Sequence, residues 1–229
     1  MLSVSMLPLT ALVPGLVAVV VGGACGGGSR ILLARIRRGA VVRPGPLEVA
    51  SALISGVGVA LSWSSGPWLM VGWIGVLAVP LSAVDIAHHR LPDALTRPAV
   101  PVTLAVAAVS GLVGAGSVSV VRAVVAAVVV GGLFLTVATV LPVAMGRGDA
   151  KLAFTIGGAL GSLSWPAVLL GVFLAFAIGA IVGLAGVVTR RLALRSALPF
   201  GPALLTGCWL VLAVPGLLRW VSLGTAGAP

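Results

Sequence analysis

Four carboxylates occur in 229 residues, and three of them fall in two short polar segments. Asp85 and Asp93 lie in VDIAHHRLPDALTRP, and Asp149 lies in GRGDAKL. The fourth, Glu48, stands alone in PLEVA. Each aspartate segment adjoins a long apolar run, and an acid beside a membrane-crossing helix is either matched to a cation or kept for chemistry. Two carboxylates converging on one water could divide the work of hydrolysis, one as general base and the other, protonated, as general acid. Like charges that close do not both ionise cheaply, so the pair would share a proton and titrate as a unit. This chemistry requires both segments at the same face of the membrane, which turns the question to the elements that carry them.

Hydrophobic residues make up 60% of the chain, charged residues only 8%, and the mean hydropathy is +1.26. That composition excludes a soluble globular domain and identifies an integral membrane protein, with the lipid bilayer as its first partner. The net charge of +10 does not indicate nucleic acid, because the arginines cluster in short connections between apolar runs, where membrane topology accounts for them. Cys25 and Cys208 are each embedded in an apolar run and far apart, which excludes a CxxC zinc site and a disulfide framework. MLSVSMLP carries no basic residue, so the run from Leu7 to Gly27 reads as an uncleaved first span rather than a secretion signal.

Runs able to cross a bilayer, at about 20 residues each, lie near 7–28, 47–63, 67–84, 99–115, 118–145, 152–164, 166–188 and 203–218. The expected fold is therefore an all-α polytopic membrane protein of about eight transmembrane helices, one domain over 1–229. The run 152–164 is short and fits a tilted or partly immersed helix. Of the 14 basic residues, all but Arg122 and Arg219 fall in alternate connections, while SWSSGPW, GSVS and SLSW on the other side carry no charge. The positive-inside rule then makes the basic side cytoplasmic and the N-terminus external. With this alternation Asp85 ends the third span and Asp149 begins the sixth, both at the cytoplasmic face. Trp63, Trp68, Trp165 and Trp220 fall near the outer interface, where indoles settle.

Taken singly, each acid has a plain structural reading. Asp149 could cap the helix that follows it, with Gly146 and Gly148 letting the backbone turn sharply or approach a bound peptide. Asp85 could pair with Arg90. Asp93, directly after Pro92, reads as a turn or N-cap residue, and Pro92 and Pro98 read as breaks. His89 and Asp93 have i,i+4 spacing, but Pro92 interrupts them and no third ligand is in sight, so no metal site is expected. The two segments together change this reading.

The motif running Asp85-Ile-Ala-His-His-Arg-Leu-Pro92-Asp93-Ala-Leu95-Thr96-Arg-Pro98, followed by Gly146-Arg-Gly148-Asp149-Ala-Lys151-Leu, resembles the type IV prepilin peptidases. These are bacterial members of the GxGD aspartyl proteases. PLEVASAL at 46–53 and LPFGP at 198–202 are similar to two further family segments, so the likeness covers a core of about 46–202. The resemblance implies that Asp85 and Asp149 are the catalytic pair, with Gly146, Gly148, Lys151, Pro92 and Asp93 as the supporting motif and no cofactor. It also implies cleavage of the basic leader peptide of a prepilin or pseudopilin at the cytoplasmic face of a bacterial inner membrane. Arg147 stands where relatives carry a residue such as Met, and Asp93 is often Asn in them. The cytoplasmic insertion with two CxxC pairs, linked in bifunctional relatives to methylation of the new N-terminus, is replaced here by RILLARIRRGAVVRPG, so methyltransferase activity is not expected. The basic surface suits anchoring to anionic lipids rather than to a basic leader.

A proton- or cation-coupled transporter could also use two membrane acids, but it would favour inverted symmetry between halves, and none is evident. A serine intramembrane protease lacks its GxSG nucleophile and partner histidine. The topology gives a first test. Reporters fused after Arg38, Arg97, Lys151 or Arg195 should register the cytoplasm, and fusions near Gly66, Ser117 and the C-terminus the outside; opposite faces for residues near 90 and 149 would rule out a paired-acid site.

Overall fold

The computed structural model describes residues 9–35, 44–64, 66–89, 91–113, 119–142, 145–190, 199–214 and 216–217. Eight helices span the described residues: α1 Leu9–Arg35, α2 Pro46–Ser62, α3 Trp68–His88, α4 Asp93–Leu112, α5 Val120–Val140, α6 Arg147–Leu163, α7 Trp165–Val188 and α8 Gly201–Ala213. No strand occurs among these residues. Helices are the expected outcome, since an open strand edge in hydrocarbon would leave backbone groups unsatisfied. Five of them, α1, α3, α4, α5 and α7, are long and apolar enough to cross a membrane, while α2 and α8 are shorter apolar helices. The chain is a multi-pass membrane protein.

The boundaries differ from the expected runs in four places. α1 continues to Arg35, taking in RILLAR, because Leu33 is fully buried against Val84 of α3 and Leu95 of α4. Pro98 does not break the chain: with Pro101 it lies inside α4, beyond the first turn, and the two prolines leave the Ala94 and Arg97 carbonyls without their usual intrahelical donors. α6 runs for 17 residues, roughly 25 Å at the usual helical rise. α8 stops at Ala213, because Val214 precedes a proline and is pushed from helical to extended backbone. Arg90, Trp220 and the connection 36–43 fall outside the described residues.

The core centres on α6. Eleven of its residues, from Ala150 to Ser162, are buried, and it packs most closely on α5 and also against α4, α8 and α7. Glycines make the α5 contact possible. A Cβ at Gly157 would lie 2.6 Å from the Ala126 carbonyl oxygen, and one at Gly161 would lie 2.3 Å from the Ala126 Cβ. Small residues at this i,i+4 spacing let the two backbones approach in lipid, where packing rather than the hydrophobic effect drives association. At the far end, Arg122 of α5 donates to the Gly161 and Ser162 carbonyls at 2.7 and 2.8 Å and also to Leu163. These are carbonyls at the C-terminal end of α6, where the last four have no intrahelical donor. The guanidinium thus satisfies orphan acceptors where the helix dipole favours a cation.

α1 and α2 form a second tight pair. A Cβ at Gly22 would lie 2.7 Å from the Ser51 carbonyl oxygen, and Gly26 faces the Glu48 Cα at 3.0 Å. Glu48 does not stand alone: Arg30 Nε donates to it at 2.6 Å and the Gly45 N–H at 2.8 Å, so it closes the start of α2 in capping-box fashion. Trp63 and Trp68 pack with their ring centres 5.0 Å apart and their planes tilted by 50° across the α2–α3 turn. The packing gives a stability contrast within one helix. Gly157→Ala should destabilise the detergent-solubilised protein by about 1–3 kcal/mol, whereas Gly158→Ala, whose Cβ would meet its nearest neighbour at 3.5 Å, should leave the melting temperature unchanged or raise it; equal losses would contradict the α5–α6 account.

Candidate functional site

Asp85 sits in the last turn of α3 and is 4% exposed. Four residues later the chain reverses. The His89 N–H donates to the Asp85 carbonyl at 2.7 Å, and His89 takes the left-handed conformation, φ 51°, that ends the helix. Leu91 then turns inward and is buried, and Pro92, with extended backbone, caps α4 through its carbonyl, which accepts from the Leu95 and Thr96 N–H groups. The short connection therefore places Leu91 beneath Asp85 and starts α4 at Asp93.

The start of α8 fixes the Asp85 side chain. The Gly201 N–H donates to Asp85 Oδ2 at 3.0 Å, one of the four N–H groups that a helix start leaves without intrahelical partners. A Cβ at Gly201 would lie 2.7 Å from that same oxygen, so only glycine lets the backbone come this near. LPFGP thus carries a residue of the site. The signal for it in the sequence is FGP, a glycine before a proline that can open a helix.

Asp149 is the third residue of α6, after Gly146 as N-cap. Its half-buried carboxylate accepts a backbone hydrogen bond from Gly146, half of a capping box, so the plain capping role is real. It is not the whole of it, because the carboxylates of Asp149 and Asp85 come close enough for their charges to act on each other. The glycines of GRGD do not act as expected. Gly146 has extended backbone, and neither it nor Gly148 is among the described positive-φ residues. Their role is space: a Cβ at Gly148 would stand 3.1 Å from the Leu91 Cβ, and one at Gly146 would stand 3.1 Å from Asp149 Oδ2. Leu91 lies against both Gly148 and Gly201, so one side chain touches the segments that hold the two acids.

The other motif residues complete the same end of the bundle. Asp93, expected as a turn or N-cap residue, is instead the first residue of α4, and its carboxylate accepts from Arg97 at 2.8 Å and from the Lys151 ammonium of α6. His88 and His89 are exposed. No group of three His, Cys, Asp or Glu converges among the described residues. The four acids then sort by partner. Glu48 is matched to Arg30, and Asp93 to Lys151 and Arg97, while neither Asp85 nor Asp149 forms an ion pair among the described residues. Two acids without an ion-pair partner among the described residues, one buried and one half-buried and near enough for charge to act between them, are compatible with an acid–base pair on a single water.

Residues 70–184 match the type IV leader peptidase family. Prepilin leader peptidase/N-methyltransferase of Aeromonas hydrophila is 30% identical over 180 residues, which is 76% of this chain and 59% of the relative. The protein of the same name from Burkholderia pseudomallei is 32% identical over 167 residues, 70% of this chain and 51% of the relative. That from Bacillus subtilis is 31% identical over 166 residues, 69% and 60% respectively. The chain thus spans between half and three fifths of the length of these curated relatives, and no solved structure matches it. Half of the chain, including both aspartate segments and all of α4, α5 and α6, falls within the matched family region, and the protein belongs to the type IV leader peptidase family.

Proposed function

We propose that this protein is an intramembrane aspartic endopeptidase that removes the leader peptide of a prepilin-like or pseudopilin substrate, with its site at the cytoplasmic face of a bacterial inner membrane. The observation that carries the reading is the neighbouring pair, Asp85 and Asp149, which have no ion-pair partner among the described residues, at one end of an apolar bundle. Family membership and the relatives' printed activity support it. In the reaction, the pair holds one proton and one water. The ionised carboxylate takes a proton from the water as it attacks the scissile carbonyl, and the protonated one donates toward the carbonyl oxygen. Collapse of the tetrahedral intermediate then passes a proton to the leaving nitrogen, and the pair returns to its starting state. The Gly201 and Gly146 N–H groups hold the two carboxylates at fixed rotamers, so little ordering remains for the transition state. Cys25 and Cys208 are two thiols where a four-thiolate zinc site needs four, so the product of this chain acting alone is expected to keep an unmethylated N-terminus.

Two results are expected when a prepilin is co-expressed and its processing is followed by mass spectrometry. Asp85→Asn and Asp149→Asn should each abolish leader removal while the protein still accumulates in the membrane, and the double variant should be no worse than either single one, because the acids act as a unit. Substantial processing by either single variant would remove the catalytic assignment. Gly201→Ala should cut cleavage about 10- to 100-fold, since its methyl group displaces the Asp85 carboxylate by a fraction of an ångström or more; wild-type turnover in that variant would show that the α8 contact does not position the acid.

A further inference from the structure

The Asp93–Lys151 pair has no part in the proton transfers just described. Lys151 stands two residues beyond Asp149 on α6, and two residues turn a helix through more than half a circle. Its ammonium therefore leaves the face that carries Asp149 and reaches across to α4, where it meets the first residue of the helix. Asp93 in turn is tied through Pro92 and Leu91 to the turn that follows Asp85. Three ion pairs occur among the described residues: Arg30–Glu48 binds α1 to α2, Arg97–Asp93 lies within α4, and Lys151–Asp93 joins the two aspartate motifs.

That link matters because α3 and α6, which carry Asp85 and Asp149, pack on α4 and α8 as common neighbours and make little or no contact with each other. The register of the two acids is thus transmitted through α4 on one side and α8 on the other. On the α8 side it is set by the Gly201 N–H and by Leu91. On the α4 side, at the level of the acids, the polar connection is Asp93 to Lys151. Both side chains are partly exposed, 43% for Asp93 and 39% for Lys151, and an ion pair in that setting contributes little to overall stability. What it can do is fix a distance.

We propose that Asp93 and Lys151 are positioning residues: a clasp between α4 and α6 that holds Asp149 in register with Asp85. The proposal rests on the catalytic reading of those two acids, and it predicts an effect on turnover rather than on folding or substrate affinity.

The test combines kinetics with a distance that needs no activity. With a purified prepilin as substrate, Lys151→Ala and Asp93→Ala should each lower kcat about 10- to 100-fold with KM within about twofold of wild type. Asp93→Asn and Lys151→Arg should recover most of that loss, and the double alanine variant should be no slower than either single one. Additive losses in the double variant, or wild-type kcat in both single ones, overturn the clasp. In parallel, spin labels on His88→Cys and Arg147→Cys, both exposed positions, report the α3–α6 separation by pulsed EPR in a Cys25→Ser background, the remaining Cys208 being buried. The reference protein should give one narrow distance, and Lys151→Ala a broadened or shifted one. An unchanged distance in Lys151→Ala overturns the proposal whatever the kinetics show. Should wild-type protein cleave no prepilin, the leader-peptidase reading fails, and the label distance alone decides whether the clasp sets the register.

Discussion

Asp85 and Asp149 are carried by helices that share neighbours and make little or no contact with each other, and other parts of the structure bring their carboxylates near each other. In a soluble enzyme a sheet or a rigid loop network could do this. Within a bilayer the available parts are helices, their ends and the few polar groups that lipid tolerates. The solution here is to bring three helix ends to one point: the C-terminal turn of α3 and the N-terminal turns of α6 and α8. Each helix start presents backbone N–H groups that lack partners, and at α6 and α8 an acid supplies one, Asp149 for Gly146 and Asp85 for Gly201. The same bonds that satisfy the backbone orient the side chains.

Close approach is the second requirement, and it explains where glycine falls. Gly201 and Gly148 are placed where a single methyl group would strike Asp85 or Leu91. Deeper in the bundle, Gly157 and Gly161 let α6 lie against the α5 backbone, and Arg122 ties off the opposite end of α6. Asp149 therefore projects from a helix that is fixed along its length. The second tight pair, α1 with α2, reaches the site only at its margin, where Leu33 at the end of α1 lies under Val84, the residue before Asp85.

Much of this was legible in the chain. The apolar runs gave eight helices near their true positions, and the clustering of arginine between alternate runs implied that Asp85 and Asp149 end up together. What the sequence did not disclose follows from physics that acts between segments far apart. Asp93 looked like a turn residue because Pro92 precedes it, yet its partner is Lys151, 58 residues away. Gly146 and Gly148 suggested unusual dihedral angles, but glycine also serves where a Cβ simply has no room, and spacing along the chain cannot tell these apart. Pro98 looked like a break, yet α4 carries it in its interior at the cost of one backbone hydrogen bond to the Ala94 carbonyl. α1 overran its expected end because burial of Leu33 outweighed the polar character of the segment around it.

The central claim is that two acids on helices with little or no mutual contact face each other in the resting protein. It can be measured without any substrate. With cysteines in place of Asp85 and Asp149 and Cys25 replaced by serine, a short thiol-to-thiol cross-linker added to native membranes should join positions 85 and 149 rapidly and within one chain, read as a joined pair of peptides after proteolysis. No cross-link between these positions, under conditions where each cysteine alone reacts with a monofunctional reagent, would contradict the account.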